Sequence, residues 1–287
     1  MPAKSRSAAV SERRASNTAL SVATLRAYHQ IVDGSPKILD DPISPRLIDR
    51  DALERYAVER QIDAPHMIEL RLGVLARSRY AEERLAAAVA RGVRSYISLG
   101  AGFDTFAYRQ PPWAQELRIF EVDHPASQSA KRERLAAAGI ALPANLTFAP
   151  IDFERDTLAA GLAAAGFPAD EPALFSWLGV MMYLNLDAIE AVLDYVAART
   201  PGSELVFSFA RPAGETDTGR HEIARRVAAG GEPWLTHFEP TELEAKLRAA
   251  GFSQVEFLSA AEVNERYQPT ASGLRPMRVA SIGSATV

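Results

Sequence analysis

Arg94-Ser-Tyr-Ile-Ser-Leu-Gly-Ala-Gly-Phe-Asp104, followed by Ile119-Phe-Glu-Val-Asp123, reads as a strand entering a glycine turn and a second strand ending in a carboxylate. The β-branched and apolar run stops at Gly100-Ala101-Gly102, where missing side chains let the backbone turn tightly and approach a ligand. About twenty residues later, Asp123 stands where an acid at the next strand end reaches a ribose diol. The two features together predict a nucleoside lying across the ends of two parallel strands.

What the turn lacks narrows the nucleoside. A dinucleotide site places a third glycine after Gly-x-Gly-x-x, so that a helix packs closely and offers its N-terminus to a pyrophosphate. Here that position is Thr105, and Asp104 would set negative charge against a diphosphate. The pattern favours S-adenosylmethionine, a nucleoside cofactor without phosphates, over a nicotinamide dinucleotide.

Outward from this stretch the chain alternates strands with alanine-rich helices. Residues 96–99, 118–122, 146–150, 173–177 and 204–208 read as strands, an alternation that predicts a doubly wound α/β sheet, mostly parallel. A helix over 240–250, a strand over 254–258 and a last run over 277–282 predict a C-terminal antiparallel hairpin with the last run at the sheet edge. Residues 16–92 hold three or four helical stretches punctuated by Asp40-Asp-Pro42 and Ser44-Pro45, and read as a helical cap before the domain over 93–287. Residues 1–15 read as a disordered basic tail, and a polar, glycine-containing insertion near 211–238 reads as a lid.

Composition limits the function classes. A net charge of −4 gives no attraction to nucleic acid or to a membrane surface. With no cysteine, neither disulfides nor thiolate zinc sites are available. No pair among His29, His66, His124, His221 and His237 has helical metal-ligand spacing, so no metal site is expected. No apolar core of a secretory signal follows the basic N-terminus, which points to a cytoplasmic protein.

Seven blocks in order make the chain similar to the leucine carboxyl methyltransferase family of S-adenosylmethionine-dependent enzymes, in its bacterial branch. They are Asn17-Thr-Ala with Leu25-Arg-Ala27, Asp40-Asp-Pro42, Arg77-Ser-Arg79, Leu99-Gly-Ala-Gly-Phe-Asp-Thr105 with Tyr108-Arg109, Phe120-Glu-Val-Asp-His-Pro125, Ile151-Asp-Phe153, and Ser176-Trp-Leu-Gly-Val-Met-Met-Tyr-Leu184. The resemblance implies the class I methyltransferase form of the Rossmann-like sheet. It implies that Asp123 holds the ribose, that Gly100, Ala101 and Gly102 let the backbone approach the methionine part, and that Asp152 and Phe153 frame the adenine. Arg77 matches the family's arginine for the cofactor carboxylate, with Arg79 as its competitor, and Arg26 is a second cationic candidate. Leu178 replaces the glutamate that many relatives carry before Gly179, which removes a carboxylate from the site.

The chemistry asks for little beyond position. In-line attack on a sulfonium methyl is accelerated by holding the nucleophile close, and a carboxylate is already ionised at neutral pH. A phenol or alcohol would need a base. The expected activity is therefore O-methylation of a small molecule, at a carboxylate or a phenolic hydroxyl, with His237, Tyr183 and Arg211 as candidates on the acceptor side. A phosphatase-tail acceptor does not fit the substrate-facing segments. Two alternatives stand beside this reading: a descendant that keeps the cofactor site for another reaction or for binding, and a nicotinamide-dependent dehydrogenase.

Overall fold

The computed structural model describes residues 17–153, 155–214 and 217–287; the expected tail over 1–15 lies outside the described residues. Four helices come first: α1 (Asn17–Ile31), α2 (Ser44–Leu47), α3 (Arg50–Arg60) and α4 (Pro65–Ala90). The Asp49 carboxylate caps α3 by accepting from the Ala52 amide. Pro65 opens α4, where a missing N–H leaves no bond unmade.

The alternating part follows as β1 (Ser95–Leu99), β2 (Arg118–Asp123), α5 (Pro125–Ala137), β3 (Leu146–Pro150), α6 (Leu158–Ala164), β4 (Ala173–Trp177), α7 (Leu186–Ala197) and β5 (Glu204–Ser208). After β5 come α8 (Thr218–Ala229), α9 (Pro240–Ala250), β6 (Gln254–Phe257), α10 (Ala260–Tyr267) and β7 (Ile282–Thr286). The strand order is β3-β2-β1-β4-β5-β7-β6, with β1 to β5 parallel and β7 antiparallel to both its neighbours. This is the doubly wound, mostly parallel sheet expected from the alternation.

The end of the sheet corrects one expectation. The last strand is not 277–282 but Ile282–Thr286, and it lies inside the sheet between β5 and β6, which leaves β6 at the edge. Gly283, Ser284, Ala285 and Thr286 carry little hydrophobic signal, so sequence pattern alone favours the more apolar run before them. Crowding explains the small residues: a Cβ on Gly283 would stand 2.6 Å from the Glu256 carbonyl oxygen and 2.7 Å from Phe207 Cζ.

The strands alternate between two cores. Tyr96, Leu174, Val206 and Ile282 face Leu72, Leu75 and Tyr80 of α4 together with Val263 of α10. Ile97, Phe120, Phe175 and Phe207 face Leu162, Leu193 and Leu247 on the other side. Helix α4 thus belongs to the sheet's own core, whereas Ala23 and Leu25 of α1, Leu53 of α3, and Met67 and Val74 of α4 make a third cluster that includes Phe103 of the glycine turn. No helix among the described residues is long and apolar enough to cross a membrane.

Candidate active site

The strand ends, the cap helices and the insertion after β5 enclose a cavity of about 820 Å³. Its wall includes Arg77, Gly179, Met182, Tyr183, Ser208 and Arg211. A volume of this size is within the range of small-molecule sites.

The glycine turn has the backbone form the sequence requires. Gly100 has φ +67 and Gly102 φ +48, in the left-handed region that favours glycine. A Cβ on Gly100 would meet Val180 Cγ2 at 2.3 Å, so the loop after β4 lies directly on this turn. The Gly102 amide donates to Asp123 Oδ2 at 2.5 Å, and the His124 amide donates to Oδ1 at 2.7 Å. Burial nevertheless raises the Asp123 carboxyl above the ordinary carboxylate range.

Arg77 lines the cavity with Gly179, whereas Gly100, Ala101, Gly102, Asp123, Asp152, Phe153 and Leu178 are not part of its wall. The Arg77 Nη2 and Nη1 lie 2.5 and 2.7 Å from where a Cβ on Gly179 would be, and Gly179 has φ +74. The Gly179 amide donates to Ser208 Oγ at 2.8 Å, which ties this loop to the end of β5. Arg77 has no acid or hydrogen-bond partner among the described residues. Burial lowers its guanidinium to about 10, still cationic at neutral pH. Arg79 points elsewhere and pairs with Glu83 at 2.8 Å on the exposed side of α4.

Arg26 is committed within the fold. Its Nε donates to Asp41 at 3.0 Å, its Nη1 to Asp104 at 3.0 Å and its Nη2 to Thr105 Oγ1 at 2.9 Å. The acid that argued against a diphosphate is thus neutralised by the cap and also accepts from the Phe106 amide at 2.9 Å. Asp152 follows β3, with His124 Nε2 at 3.9 Å and Arg155 Nε at 3.7 Å from its carboxylate. Phe153 beside it packs on the second core, whereas Leu178 packs on the first.

The acceptor-side candidates separate. Tyr183 lines the cavity and its hydroxyl accepts from Trp234 Nε1 at 3.2 Å; burial raises this phenol above its ordinary value. Arg211 lines the cavity but pairs with Glu239 at 2.9 Å. His237 is exposed and stands outside the cavity wall, with its ring 6.1 Å from that of Trp234.

Several cavity residues carry no motif in the sequence. Glu232 accepts from the Thr18 amide at 3.0 Å and from the Thr18 hydroxyl, so the segment after α8 caps the start of α1. The amides of Leu235 and Thr236 donate to the Met182 carbonyl at 2.7 and 3.2 Å, stitching that segment to the loop after β4. His66, Leu70, Gly73 and Arg77 line one stripe of α4. Their spacing of four, three and four residues was a readable signal for a shared helix face.

The family model for leucine carboxyl methyltransferase matches residues 19–197. A Bacillus subtilis (strain 168) protein named S-adenosyl-L-methionine-dependent methyltransferase YktD is 31% identical over 282 residues, covering 89% of this chain and 92% of that protein. The Mycobacterium tuberculosis (strain ATCC 25618 / H37Rv) protein Rv3787c, named for the same activity, is 31% identical over 212 residues, 70% of this chain and 68% of its own length. Among solved structures, a DUF574 family protein from Streptomyces avermitilis aligns with a TM-score of 0.60 at 18% identity, covering 92% of this chain and 96% of that one. At that identity the likeness bears on the fold.

Proposed function

The chain belongs to the leucine carboxyl methyltransferase family, and from that premise we propose that it is an S-adenosylmethionine-dependent O-methyltransferase of a small molecule, with a carboxylate as the acceptor group. The observation that carries this reading is Arg77. Arg77 is half-buried in the cavity wall and its guanidinium is desolvated there with no acid beside it; a ligand carboxylate answers that charge with two charge-assisted hydrogen bonds. Gly179 leaves the space that the Arg77 guanidinium itself occupies.

The remaining residues fit around that anchor. Asp123 keeps acceptor capacity for two ribose hydroxyls beyond its two backbone donors. Asp152 would accept from the exocyclic amine of the base and Phe153 would cover a ring face. Gly100, Ala101 and Gly102 allow close backbone approach, Leu178 adds an apolar flank, and Arg26 acts as a positioning residue that holds Asp104. When bound, the cofactor supplies an electrophilic methyl group.

A carboxylate acceptor needs no base, and this suits the residues present. The Tyr183 phenol is held protonated, and His237 is outside the cavity. His66 is eleven residues from Arg77 along α4, about 16 Å of helix, too far to take a proton at the Arg77 end.

Calorimetric titration with S-adenosylmethionine, S-adenosylhomocysteine and NAD tests the reading. The two sulfur nucleosides should bind and NAD should not; binding of NAD alone would overturn it. Asp123→Ala and Arg77→Ala should each weaken S-adenosylmethionine about tenfold to a hundredfold, the scale of hydrogen bonds to charged groups. For Arg77→Ala the loss should disappear with decarboxylated S-adenosylmethionine, whereas an equal loss for both ligands would mean that Arg77 serves the fold.

A further inference from the structure

Away from Arg77, the cavity wall is built by α3, the N-terminal half of α4, and α8. Tyr56 and Arg60 come from α3, with the Arg60 guanidinium carbon 5.7 Å from the Tyr56 ring centre. The Tyr56 hydroxyl lies beside Ser21 and feels the charge of both Arg60 and Arg226. Four polar side chains from three helices, Ser21 of α1, Tyr56 and Arg60 of α3 and Arg226 of α8, therefore converge on one end of the cavity.

Their pairing is incomplete. Other cavity arginines have acids: Arg220 has Asp217 at 3.3 Å, Arg278 has Glu69 at 2.9 Å, and Arg211 has Glu239. Arg60 has no acid or hydrogen-bond partner among the described residues. Arg226 pairs with Glu222 through Nε, but its Nη1 is buried with nothing to donate to. A buried N–H without an acceptor is costly, and an incoming oxyanion would remove that cost. The wall between the two arginine ends is apolar, formed by Leu70, Val74, Ile223 and Val227. Gly73 sits in that wall, and a Cβ there would meet nothing within 4 Å. Glycine inside a 26-residue helix is unfavourable by about 1 kcal/mol against alanine, and at this position it widens the cavity midway between its charged ends.

We propose that Arg60 and Arg226 hold an oxyanion of the acceptor at the α3–α8 end of the cavity, across the apolar wall around Gly73 from the group that is methylated. The acceptor is then an amphipathic acid with an apolar body and an oxyanion at the end remote from the reacting group. This rests on the methyltransferase reading, because it takes Arg77 as the cofactor's anchor and leaves Arg60 and Arg226 to the acceptor.

Decanoate and decanol are suitable probes, titrated calorimetrically into protein saturated with S-adenosylhomocysteine. Decanoate should bind more tightly than decanol. Arg60→Gln and Arg226→Gln should each weaken decanoate at least tenfold and leave decanol unchanged. Gly73→Leu should weaken both probes, because its side chain leans toward the N-terminus of α4 and fills the wall away from Arg77. All three variants should keep wild-type affinity for S-adenosylhomocysteine, which shows that they are folded. Equal decanoate affinity in wild type and both arginine variants would overturn the inference, as would failure of decanoate to bind the wild type. Failure of S-adenosylhomocysteine to bind the wild type would instead overturn the methyltransferase reading.

Discussion

Gly179 and Arg77 show how one missing side chain sets a site. With φ +74 and the guanidinium where a Cβ would stand, Gly179→Ala incurs backbone strain and displaces Arg77 together. The expected result is a stability loss of about 1–2 kcal/mol and at least tenfold weaker binding of S-adenosylmethionine. Chemical denaturation and calorimetry would measure the two separately; wild-type affinity in a destabilised variant would detach Gly179 from the ligand. At this scale the sequence was legible where chemistry forces a residue type. The turn glycines and Asp123 were readable because a tight turn and a strand-end acid have a recognisable spacing. Arg26 was not, since nothing in Leu25-Arg-Ala27 tells whether the guanidinium faces a ligand or Asp41, Asp104 and Thr105.

Helix α1 is held to the glycine turn by that same buried arginine. Burial alone would raise the Asp41 carboxyl, but Arg26, Arg109 and bonds from Ser44 outweigh it and hold Asp41 at about 2. An acid depressed in the folded state stabilises above its unfolded value near 3.8, and that stabilisation is lost as pH falls toward 2. The shift corresponds to about 2 kcal/mol. Asp41→Asn should therefore be less stable than wild type at pH 6, with the difference shrinking between pH 4 and pH 2. A difference independent of pH across this interval would mean that the pair contributes no net charge stabilisation. Strand β7 marks the limit of legibility for elements. Its small residues are dictated by Phe207 and the Glu256 backbone, neighbours that come together only when the sheet closes.

In the whole molecule the cavity belongs to no single element. Helix α4 contributes His66, Leu70, Gly73 and Arg77 to it while Leu72, Leu75 and Tyr80 pack in the sheet's core, and Glu232 and Leu235 tie the segment after α8 to α1 and to the loop after β4. A ligand held between Arg77 and the glycine turn should therefore slow amide exchange in α1 and across 218–234 as well as in the turn. At a hundredfold excess over its dissociation constant, S-adenosylhomocysteine should raise global stability by about 2.7 kcal/mol. Slowed exchange in the turn with unchanged exchange in α1 would show that α1 closes independently of the ligand. The sequence by itself determined the alternating α/β sheet, the glycine turn and the acid beside it, because period, turn chemistry and strand ends are local properties. Only the tertiary structure decided which arginines are spent on partners within the fold and which stand free in the cavity. Pairing of charges depends on neighbours far apart in the chain, and burial gives each unpaired charge its consequence.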